Sequence, residues 1–363
     1  MKKKVLVWLS GWVDSAVSAA LLLQQWYEVV GWFMKNYVSD KWNCTTFKDA
    51  EEAIKVAKFL WIELLSFDLQ KEYQERIIDY IFEWYSKWIT PNPDVLCNNL
   101  IKFDVFLNKA MEQWFDYIAT GHYARILEKE IPPTPLAKRG QSVYHLLQWA
   151  DSWKDQSYFL SGLNQYQLSK SIFPLGEMTK QQVREKAKEI WLPNAERKDS
   201  QGLCFIWNVP IRTFLMQKFP KKEGDILDLS GKKVWTHQWA YFYTIGQKQW
   251  LWLNFKAYVY RIDIENNILY VTDKDAEELK TKTLIAKNWH WICPDMENEI
   301  FNLKKNLSGK IRYRQIPAVE CDLEKMENWD MKVNFEKEQR AVAPGQVFVA
   351  YDWDECLWNG MIS

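Results

Sequence analysis

The chain has 363 residues, a length that predicts two or three domains with a substantial core. Its 47 acidic and 47 basic residues balance, so any nucleic-acid partner must be held by local basic patches. No transmembrane segment is evident. The six cysteines include no C-x-x-C pair and no Cys/His zinc spacing, which argues against a structural metal and favours a reducing, cytoplasmic location.

The first predicted element is a strand over Lys4–Leu9, which stops at Ser10-Gly11. A helix over Ser15–Gln25 follows, with Asp14 and Ser15 as capping candidates. Such a unit aims backbone N–H groups and a positive helix end at one point, which suits phosphate. The letters S-G-x-x-D-S resemble the SGGxDS pyrophosphate loop of ATP pyrophosphatases, with Trp12 at the second glycine. The alternative is an ordinary first βα turn of an α/β domain.

Strand and helix patterns then alternate as far as residue 125. Strands are predicted at Glu28–Met34, Ile62–Asp68 and Tyr117–Ala119, and helices at Phe47–Leu60, Lys71–Lys87 and Asn99–Gln113. This alternation predicts an α/β fold with a doubly wound parallel sheet and ligands at the carboxyl ends of its strands. The first loop, residues 34–36 and residues 120–123 all fall at such ends, so three loops are expected on one rim.

The second half of the chain changes in character. Residues 130–140 are predicted to be an exposed loop between strands, residues 151–158 to open a helix, and Thr179–Ile190 to form a capped amphipathic helix. Short apolar segments then suggest β-rich modules, at Ala240–Ile245, Ala257–Ile264, Ile268–Thr272, Lys310–Arg314 and Gln346–Ala350. The predicted domains are an α/β catalytic domain (1–205), a small middle module (206–275) and a C-terminal β-barrel-like domain (276–363).

Two cysteines lie in polar turns. Thr90-Pro-Asn-Pro-Asp94-Val-Leu-Cys97 holds two prolines that rule out helix there, so Asp94 and Cys97 are expected to open the next helix. A helix N-terminus favours the thiolate, and Asp94 is a candidate proton acceptor or donor. Cys204 lies between a polar turn and an apolar segment. Either cysteine alone is explained by a structural role, and the pair gains meaning if the fold brings them together.

The tryptophan content is abnormal. There are 22 Trp and 13 Gly, where average usage predicts roughly 25 Gly. Helical patterns end at Trp26, Trp61, Trp114 and Trp191, where the left-handed residue of a helix C-terminus favours glycine. We interpret many of these tryptophans as glycines of the working protein, written as Trp through a reassigned stop codon. The alternative is a Trp-rich protein with unusual helix ends.

Taken together, these motifs resemble the bacterial tRNA-specific 2-thiouridylases over nearly the whole chain. The matching segments are the loop at 8–15, FMKN at 33–36, TPNPDxLCN at 90–98, ATGHY at 119–123, DSxKDQSYFL at 151–160, KDSxGxCFI at 198–206, the THQ segment at 236–248, and residues 312–314 and 344–346. Where this family expects glycine the chain has Trp at several positions, among them Trp8, Trp12, Trp88, Trp239 and Trp250.

The resemblance implies ATP-dependent 2-thiolation of the wobble uridine of tRNA. It implies that ATP, with Mg²⁺, adenylates the uridine O2, that Cys204 delivers a persulfide sulfur received from a sulfur-relay or cysteine desulfurase protein, and that Cys97 acts as nucleophile or resolving thiol in a transient disulfide with Cys204. The implied nucleotide contacts are Trp8, Leu9, Ser10, Gly11, Trp12, Val13, Asp14, Ser15, Met34 and Gly121. The implied tRNA contacts are Asn92, Pro93, Asp94, His122, Lys154, Asp155, Gln156, Arg312, Tyr313 and Gln346.

Three alternative functions would each require different sequence features. Another adenylating synthetase of the same loop class would not need both Cys97 and Cys204. An iron–sulfur tRNA thiolase would show a C-x-x-C pair, which is absent. A tRNA- or nucleotide-binding protein without catalysis is expected if Trp8 and Trp12 are literal, because their indoles would fill the phosphate cradle.

Overall fold

The computed structural model of the chain describes residues 2–35, 46–87, 89–130, 142–198, 211–249, 251, 253–294 and 307–363. Cys44, Trp88, Cys204 and Trp250 lie outside the described residues, as do residues 131–140 of the loop predicted at 130–140. The expectations that rest on those positions, including the pairing of Cys97 with Cys204, stay predictions.

A five-stranded parallel sheet forms the N-terminal part of the molecule. Its strands lie in the order β3-β2-β1-β4-β7, at Leu64–Asp68, Glu28–Lys35, Lys4–Trp8, Tyr117–Ala119 and Ser171–Ile172. The predicted doubly wound α/β fold is confirmed. The chain proceeds outward from β1 to β2 and β3, then returns to β4 on the other side of β1. The strand order therefore reverses between β1 and β4, which is where this class of sheet binds ligands.

Helices cover both faces of this sheet. Those described are α1 to α10, at Val13–Gln24, Thr46–Leu60, Gln70–Tyr73, Asp79–Ser86, Pro93–Cys97, Leu107–Glu112, Ser157–Leu160, Gln165–Ser169, Lys180–Glu189 and Ile211–Leu215. A π-helical segment, Gln74–Ile78, joins α3 to α4, and another, Asn98–Phe106, joins α5 to α6. Apolar side chains from the sheet and these helices form one core cluster on each face of the sheet. Thr179 caps α9 through a capping box, as its sequence predicts.

The remaining strands build two β-rich units. The middle one is a four-stranded sheet in the order β10-β11-β8-β9, at Tyr258–Asp263, Ile268–Thr272, Gly224–Leu227 and Lys233–His237. The C-terminal one has strands β12 to β17, at Lys280–Trp291, Leu307–Lys310, Val319–Lys325, Met331–Arg340, Val347–Asp352 and Glu355–Ile362. Because β12 pairs with both β15 and β17, this sheet closes into a barrel.

A β-hairpin of the N-terminal part attaches the barrel to the parallel-sheet unit. Its strands are β5 (Arg125–Glu130) and β6 (Ser142–Leu147). Strand β6 pairs with β17, with Cys356 opposite Leu146. The hairpin therefore continues the barrel sheet, and the two units share backbone hydrogen bonds.

Four local predictions were wrong. Residues 240–245 contain the short 3₁₀ helix Ala240–Phe242 rather than a strand. The strand expected at 310–314 ends at Lys310 instead of beginning there. The helix expected from Asn99 already begins at Pro93, because proline is tolerated in a first helical turn. Helix α1 begins at Val13 with Trp12 before it and no side-chain cap, so Asp14 and Ser15 lie inside its first turn.

Within the described part of the chain, every helix is too short or too polar to span a membrane.

Candidate active site

The loop between β1 and α1 makes a narrow backbone-lined cradle. Gly11 has φ +78°, and a Cβ atom there would lie 2.5 Å from the Asp49 carbonyl oxygen, so this position requires glycine. The Ser15 hydroxyl accepts a hydrogen bond from the Ser10 amide at 3.2 Å and donates one to the Trp12 carbonyl at 3.0 Å. The loop is thereby folded over the first turn of α1, whose N–H groups face the point where a phosphate would lie.

The loop after β4 closes the other side of this cradle. A Cβ atom on Gly121 would lie 2.9 Å from the backbone of Asp14 and Ser15, so only glycine allows this approach. The two loops therefore meet at the point where the strand order reverses. A cradle formed by backbone at this position suits a nucleotide phosphate, and we conclude that the residues present fit that ligand.

Asp14 is held by two side chains from elsewhere in the domain. Its Oδ1 accepts from the Tyr123 hydroxyl at 2.7 Å and from the Lys180 ammonium at 2.6 Å. Tyr123 is in turn fixed by Gln156, whose Oε1 accepts from the Tyr123 amide at 2.9 Å. Through these hydrogen bonds Gln156, a predicted tRNA contact, is connected to the loop that forms the phosphate cradle.

The two tryptophans of the loop each contact an aromatic or cationic side chain. Trp8 is buried in the core, with its ring 4.7 Å from that of Trp32 and 5.1 Å from that of Phe106. The Trp12 ring stacks on Arg197, with 3.8 Å between the ring centroid and the guanidinium carbon. The expectation that literal tryptophans at these two positions would fill the cradle stays a prediction. Other predicted nucleotide contacts are buried apolar side chains, namely Leu9, Val13 and Met34.

His122 is enclosed behind the same rim. It is 8% exposed, its Nδ1 lies 2.7 Å from the Thr120 hydroxyl, and its Nε2 lies 3.4 Å from the Lys102 ammonium. Burial, together with the Lys102 charge, lowers the pKa of His122 well below its ordinary value. The imidazole is therefore neutral at pH 7. Its predicted contact with tRNA stays a prediction, since both ring nitrogens already have protein partners.

The segment with Asp94 and Cys97 forms a helical turn. The Asn92 side chain caps it by accepting from the Val95 amide at 3.3 Å, and Pro93 is its first residue. Cys97 ends α5 rather than opening it, and its side chain is buried. The expected position at the very start of a helix was wrong for Cys97, because the helix begins four residues earlier.

The two β-rich units hold this segment in place. The Gln346 side-chain amide donates to the Thr90 carbonyl at 3.0 Å and the Pro91 carbonyl at 3.3 Å. The Thr90 hydroxyl lies 2.9 Å from that of Thr244 in the middle unit. Gly345, with φ +86°, is needed for this approach, since a Cβ there would lie 2.2 Å from an Ile89 methyl group. Gln346 therefore orients the turn that precedes Asp94.

Barrel residues Arg312 and Tyr313 lie close to that turn. The Tyr158 hydroxyl joins the Asn92 side chain to the Val347 carbonyl, the latter at 2.6 Å. Burial, with smaller contributions from Asp155 and Asp94, raises the pKa of Tyr313 to about 12. Burial and the charge of Arg340 lower the pKa of Arg312. The structure thus brings together predicted base and tRNA contacts from two units, namely Asn92, Asp94, Arg312, Tyr313 and Gln346.

Lys154 and Asp155, both predicted tRNA contacts, differ in exposure. Lys154 is exposed, whereas the Asp155 carboxylate is buried and lies 3.2 Å from the buried ammonium of Lys310. Asp155 therefore faces the junction with the barrel. Its predicted contact with tRNA stays a prediction, and because the carboxylate is buried it offers no exposed group for that contact.

Sequence reasoning missed Lys102 and Lys180, although each contributes to the geometry above. Lys102 stands in the segment Leu-Cys-Asn-Asn-Leu-Ile-Lys, five residues after Cys97, which is a visible signal. Lys180 carries no local signal, because its contact with Asp14 spans 166 residues. Among the described residues, no group of three His, Cys, Asp or Glu side chains is arranged to hold a metal ion.

Comparisons with known proteins agree over the whole length of the chain. Three family models match in succession: the "tRNA methyl transferase HUP domain" at residues 3–208, the "tRNA methyl transferase PRC-barrel domain" at 212–273 and the "Aminomethyltransferase beta-barrel domain" at 281–362. The U34-tRNA thiolase NcsA from Methanococcus maripaludis is a solved structure with 16% identity and a TM-score of 0.36, over 60% of this chain and 67% of that one.

Curated relatives are much closer in sequence. The tRNA-specific 2-thiouridylase MnmA of Methylobacillus flagellatus is 40% identical over 100% of this chain and 99% of its own length. The enzyme of the same name from Flavobacterium johnsoniae is 39% identical over 99% of this chain and 100% of its own. With this similarity from end to end, the chain belongs to the tRNA-specific 2-thiouridylase family.

Proposed function

We propose that this chain uses ATP to replace the C2 oxygen of the wobble uridine (position 34) of tRNA with sulfur. The main support for the proposal is that one helical run connects the turn with Asp94 and Cys97 to the loops of the phosphate cradle. The turn with Asp94 and Cys97 begins a helical run. Five residues after Cys97 this run carries Lys102, whose ammonium contacts His122 beside the phosphate cradle. This arrangement supports a mechanism in which an activated base and a thiol meet at the same edge of the sheet.

The first step we propose is adenylation of the uridine. The uridine O2 forms a bond to the α-phosphorus of ATP, the bond to the β-phosphate oxygen breaks, and pyrophosphate leaves. Asp94 takes the N3 proton, which lets the ring form a C2=N3 bond. The cradle at 8–15 and Gly121 would hold the phosphates, and Mg²⁺ would enter on the oxygens of ATP itself.

The second step we propose is sulfur transfer. A persulfide on Cys204 attacks C2, and AMP leaves. The Cys97 thiolate then attacks the Cys204 sulfur, which releases 2-thiouridine and forms a disulfide that an external thiol reduces. A sulfur-relay protein or cysteine desulfurase supplies the persulfide sulfur. The buried setting of Cys97 keeps water from the intermediates that it meets.

Reconstitution tests this function. The purified chain, ATP, unmodified tRNA and a cysteine desulfurase with cysteine should yield 2-thiouridine, with one AMP and one pyrophosphate per product, measured by mass spectrometry of digested tRNA. Cys97→Ser and Cys204→Ser should each abolish the product, because each change removes one of the two cysteine sulfurs that form the disulfide. Asp94→Ala should be severely impaired.

The matched controls are Cys293→Ser and Cys356→Ser, which alter buried cysteines of the barrel and should retain thiolation. Full 2-thiouridine formation by either Cys97→Ser or Cys204→Ser would contradict the two-thiol mechanism.

A further inference from the structure

A turn at residues 194–197 contacts the loop of the phosphate cradle through the carbonyl of Gly11. The Asn194 side-chain amide donates to this oxygen at 2.9 Å, and Arg197 Nη1 donates to it at 3.0 Å. Two hydrogen bonds to one carbonyl fix the plane of the peptide that follows Gly11, because a peptide unit is planar. Helix α1 begins two residues later, at Val13, so the turn at 194–197 also fixes how the loop enters this helix.

The charge of Arg197 is matched within the protein. Its guanidinium also donates to the Asp49 carboxylate, which lies in the first turn of α2. The Arg197 and Asp49 side chains are only 20% and 8% exposed. A planar guanidinium can donate to the carboxylate and to the Gly11 carbonyl at once, since its N–H groups point in fixed directions. Arg197 therefore joins the start of α2 to the loop of the cradle.

The turn at 194–197 is itself held in shape by other parts of the unit. The Arg197 amide donates to the Asn194 carbonyl at 3.0 Å. Arg184 of α9 donates to the carbonyl of Ala195 at 3.1 Å and also to that of Arg197. The turn is thus a preformed support, and its two donors to Gly11 have fixed positions.

Asn194 is poorly explained by a role in stability alone. The residue is 3% exposed, and its Oδ1 has no hydrogen-bond partner among the described residues. A buried polar atom without a partner costs free energy, so an apolar side chain would serve the fold as well. What the amide adds is its hydrogen bond to Gly11.

We propose that Asn194 and Arg197 are positioning residues for phosphate binding, because their hold on the Gly11 carbonyl keeps the first-turn amides of α1 directed at the nucleotide. The inference rests on the proposed function for its ligand. Amides of a first helical turn have no acceptor within the helix, and they bind an anion best when the loop before them is fixed in advance. Both hydrogen bonds end on the backbone of Gly11, so they do not depend on which residue stands at position 12.

Equilibrium binding tests this role without any need for thiolation. The full chain, Asn194→Ala, Arg197→Lys and the double variant are titrated with Mg·ATP, and with adenosine in competition. Each single variant should weaken ATP binding by roughly threefold to tenfold, and the double variant by roughly tenfold to a hundredfold. Adenosine binding should not change, because adenosine has no phosphate. Arg197→Lys keeps a cation beside Asp49 but loses the forked geometry that reaches both groups.

Glu196→Gln is the matched control in the same turn. The Glu196 side chain is 83% exposed and pairs with Lys188 at 3.0 Å, so this change removes a charge from the turn without altering a contact to Gly11. It should bind ATP and adenosine like the parent.

Each result decides the proposal. Parent-like ATP affinity of the double variant overturns it, and so does an equal loss for ATP and adenosine, which would mean that the turn only supports the fold. A matching loss in Glu196→Gln also overturns it. If the double variant does not fold, Asn194→Ala decides by the same criteria. A parent chain that does not bind Mg·ATP overturns this inference and the proposed function together. If the parent binds ATP but forms no 2-thiouridine, only the proposed function fails, and the variants still decide the positioning role.

Discussion

Asp155 illustrates, at the scale of single residues, how a motif position can serve the fold. Its Oδ1 accepts from the amides of Trp149 and Ser157 at 3.0 and 3.1 Å. Its Oδ2 accepts from the Ser157 hydroxyl at 2.9 Å and from the Lys310 ammonium at 3.2 Å. The side chains of Asp155 and Lys310 are 2% and 6% exposed. A buried pair with this many partners joins the N-terminal unit to strand β13 of the barrel.

We expect Asp155→Asn to destabilise the chain by about 3–5 kcal/mol, because it leaves the Lys310 ammonium buried without a countercharge. Urea unfolding measures the effect. Asp116→Asn is the control: it removes the exposed partner of Lys3 and should cost at most about 1 kcal/mol. The double variant Asp155→Asn/Lys310→Met should recover part of the loss. Equal stability of Asp155→Asn and the parent would refute the anchoring role.

Tryptophan at helix ends is the clearest anomaly at the scale of secondary-structure elements. Trp26, Trp61, Trp114 and Trp191 follow α1, α2, α6 and α9 with φ of 65°, 56°, 62° and 59°. The left-handed conformation predicted from sequence at these four positions is confirmed. Their indoles are also largely exposed, from 75% to 94%, so burial does not compensate for the strained backbone.

The structure adds positions that sequence periodicity missed. Trp329 and Trp353 have φ of 67° and 54° in the turns between β14 and β15 and between β16 and β17. A two-residue turn, as between β16 and β17, favours residues that accept positive φ, above all glycine. These positions were not predictable, because the register that places a turn residue depends on pairing between strands rather than on any local pattern.

Replacing the helix-end tryptophans by glycine should therefore stabilise the protein. Each of Trp26→Gly, Trp61→Gly, Trp114→Gly and Trp191→Gly should raise the free energy of unfolding by about 1 kcal/mol, because glycine adopts positive φ without a Cβ clash. Thermal and urea unfolding measure the gain. Trp153→Gly is the control, since Trp153 is equally exposed but lacks positive φ, and it should give no such gain.

The same reasoning predicts the native residues. Peptide masses from the source organism should show glycine at Trp8, Trp12, Trp26, Trp61, Trp114, Trp191, Trp239 and Trp250, with a reassigned codon there and the ordinary Trp codon at Trp291. Trp239, at φ 148°, joins the helix ends in requiring positive φ. Trp8 and Trp12 do not have positive φ, so the prediction there rests on the resemblance to the family. Tryptophan masses at these eight sites would refute the recoding.

At the scale of the whole molecule, sequence predicted the parts better than their junctions. The rim of the parallel sheet was predictable because β1, β2 and β4 carry local hydrophobic patterns and parallel strands end together. The attachment of hairpin β5–β6 to β17 was not, since the pairing of Leu146 with Cys356 spans some 210 positions without a local signature. The hydrogen bond from Gln346 to the Thr90 carbonyl also has no local signature in the sequence. Contacts of this kind bring the barrel to the turn that carries Asp94.

A tRNA that occupies this junction should be bound by charges of two units, which gives the last prediction. Arg312 lies in the barrel, where burial and the charge of Arg340 lower its pKa, and an RNA phosphate would offset the repulsion between the two arginines. Lys154 is exposed on the N-terminal unit. Arg312→Ala and Lys154→Ala should each weaken tRNA binding and reduce the slope of log K against log salt by about 1, because each removes one phosphate contact. Lys71→Ala, an exposed lysine on α3, should bind tRNA like the parent, and all three should bind ATP normally. Parent-like tRNA binding by both Arg312→Ala and Lys154→Ala across a salt titration would exclude this surface.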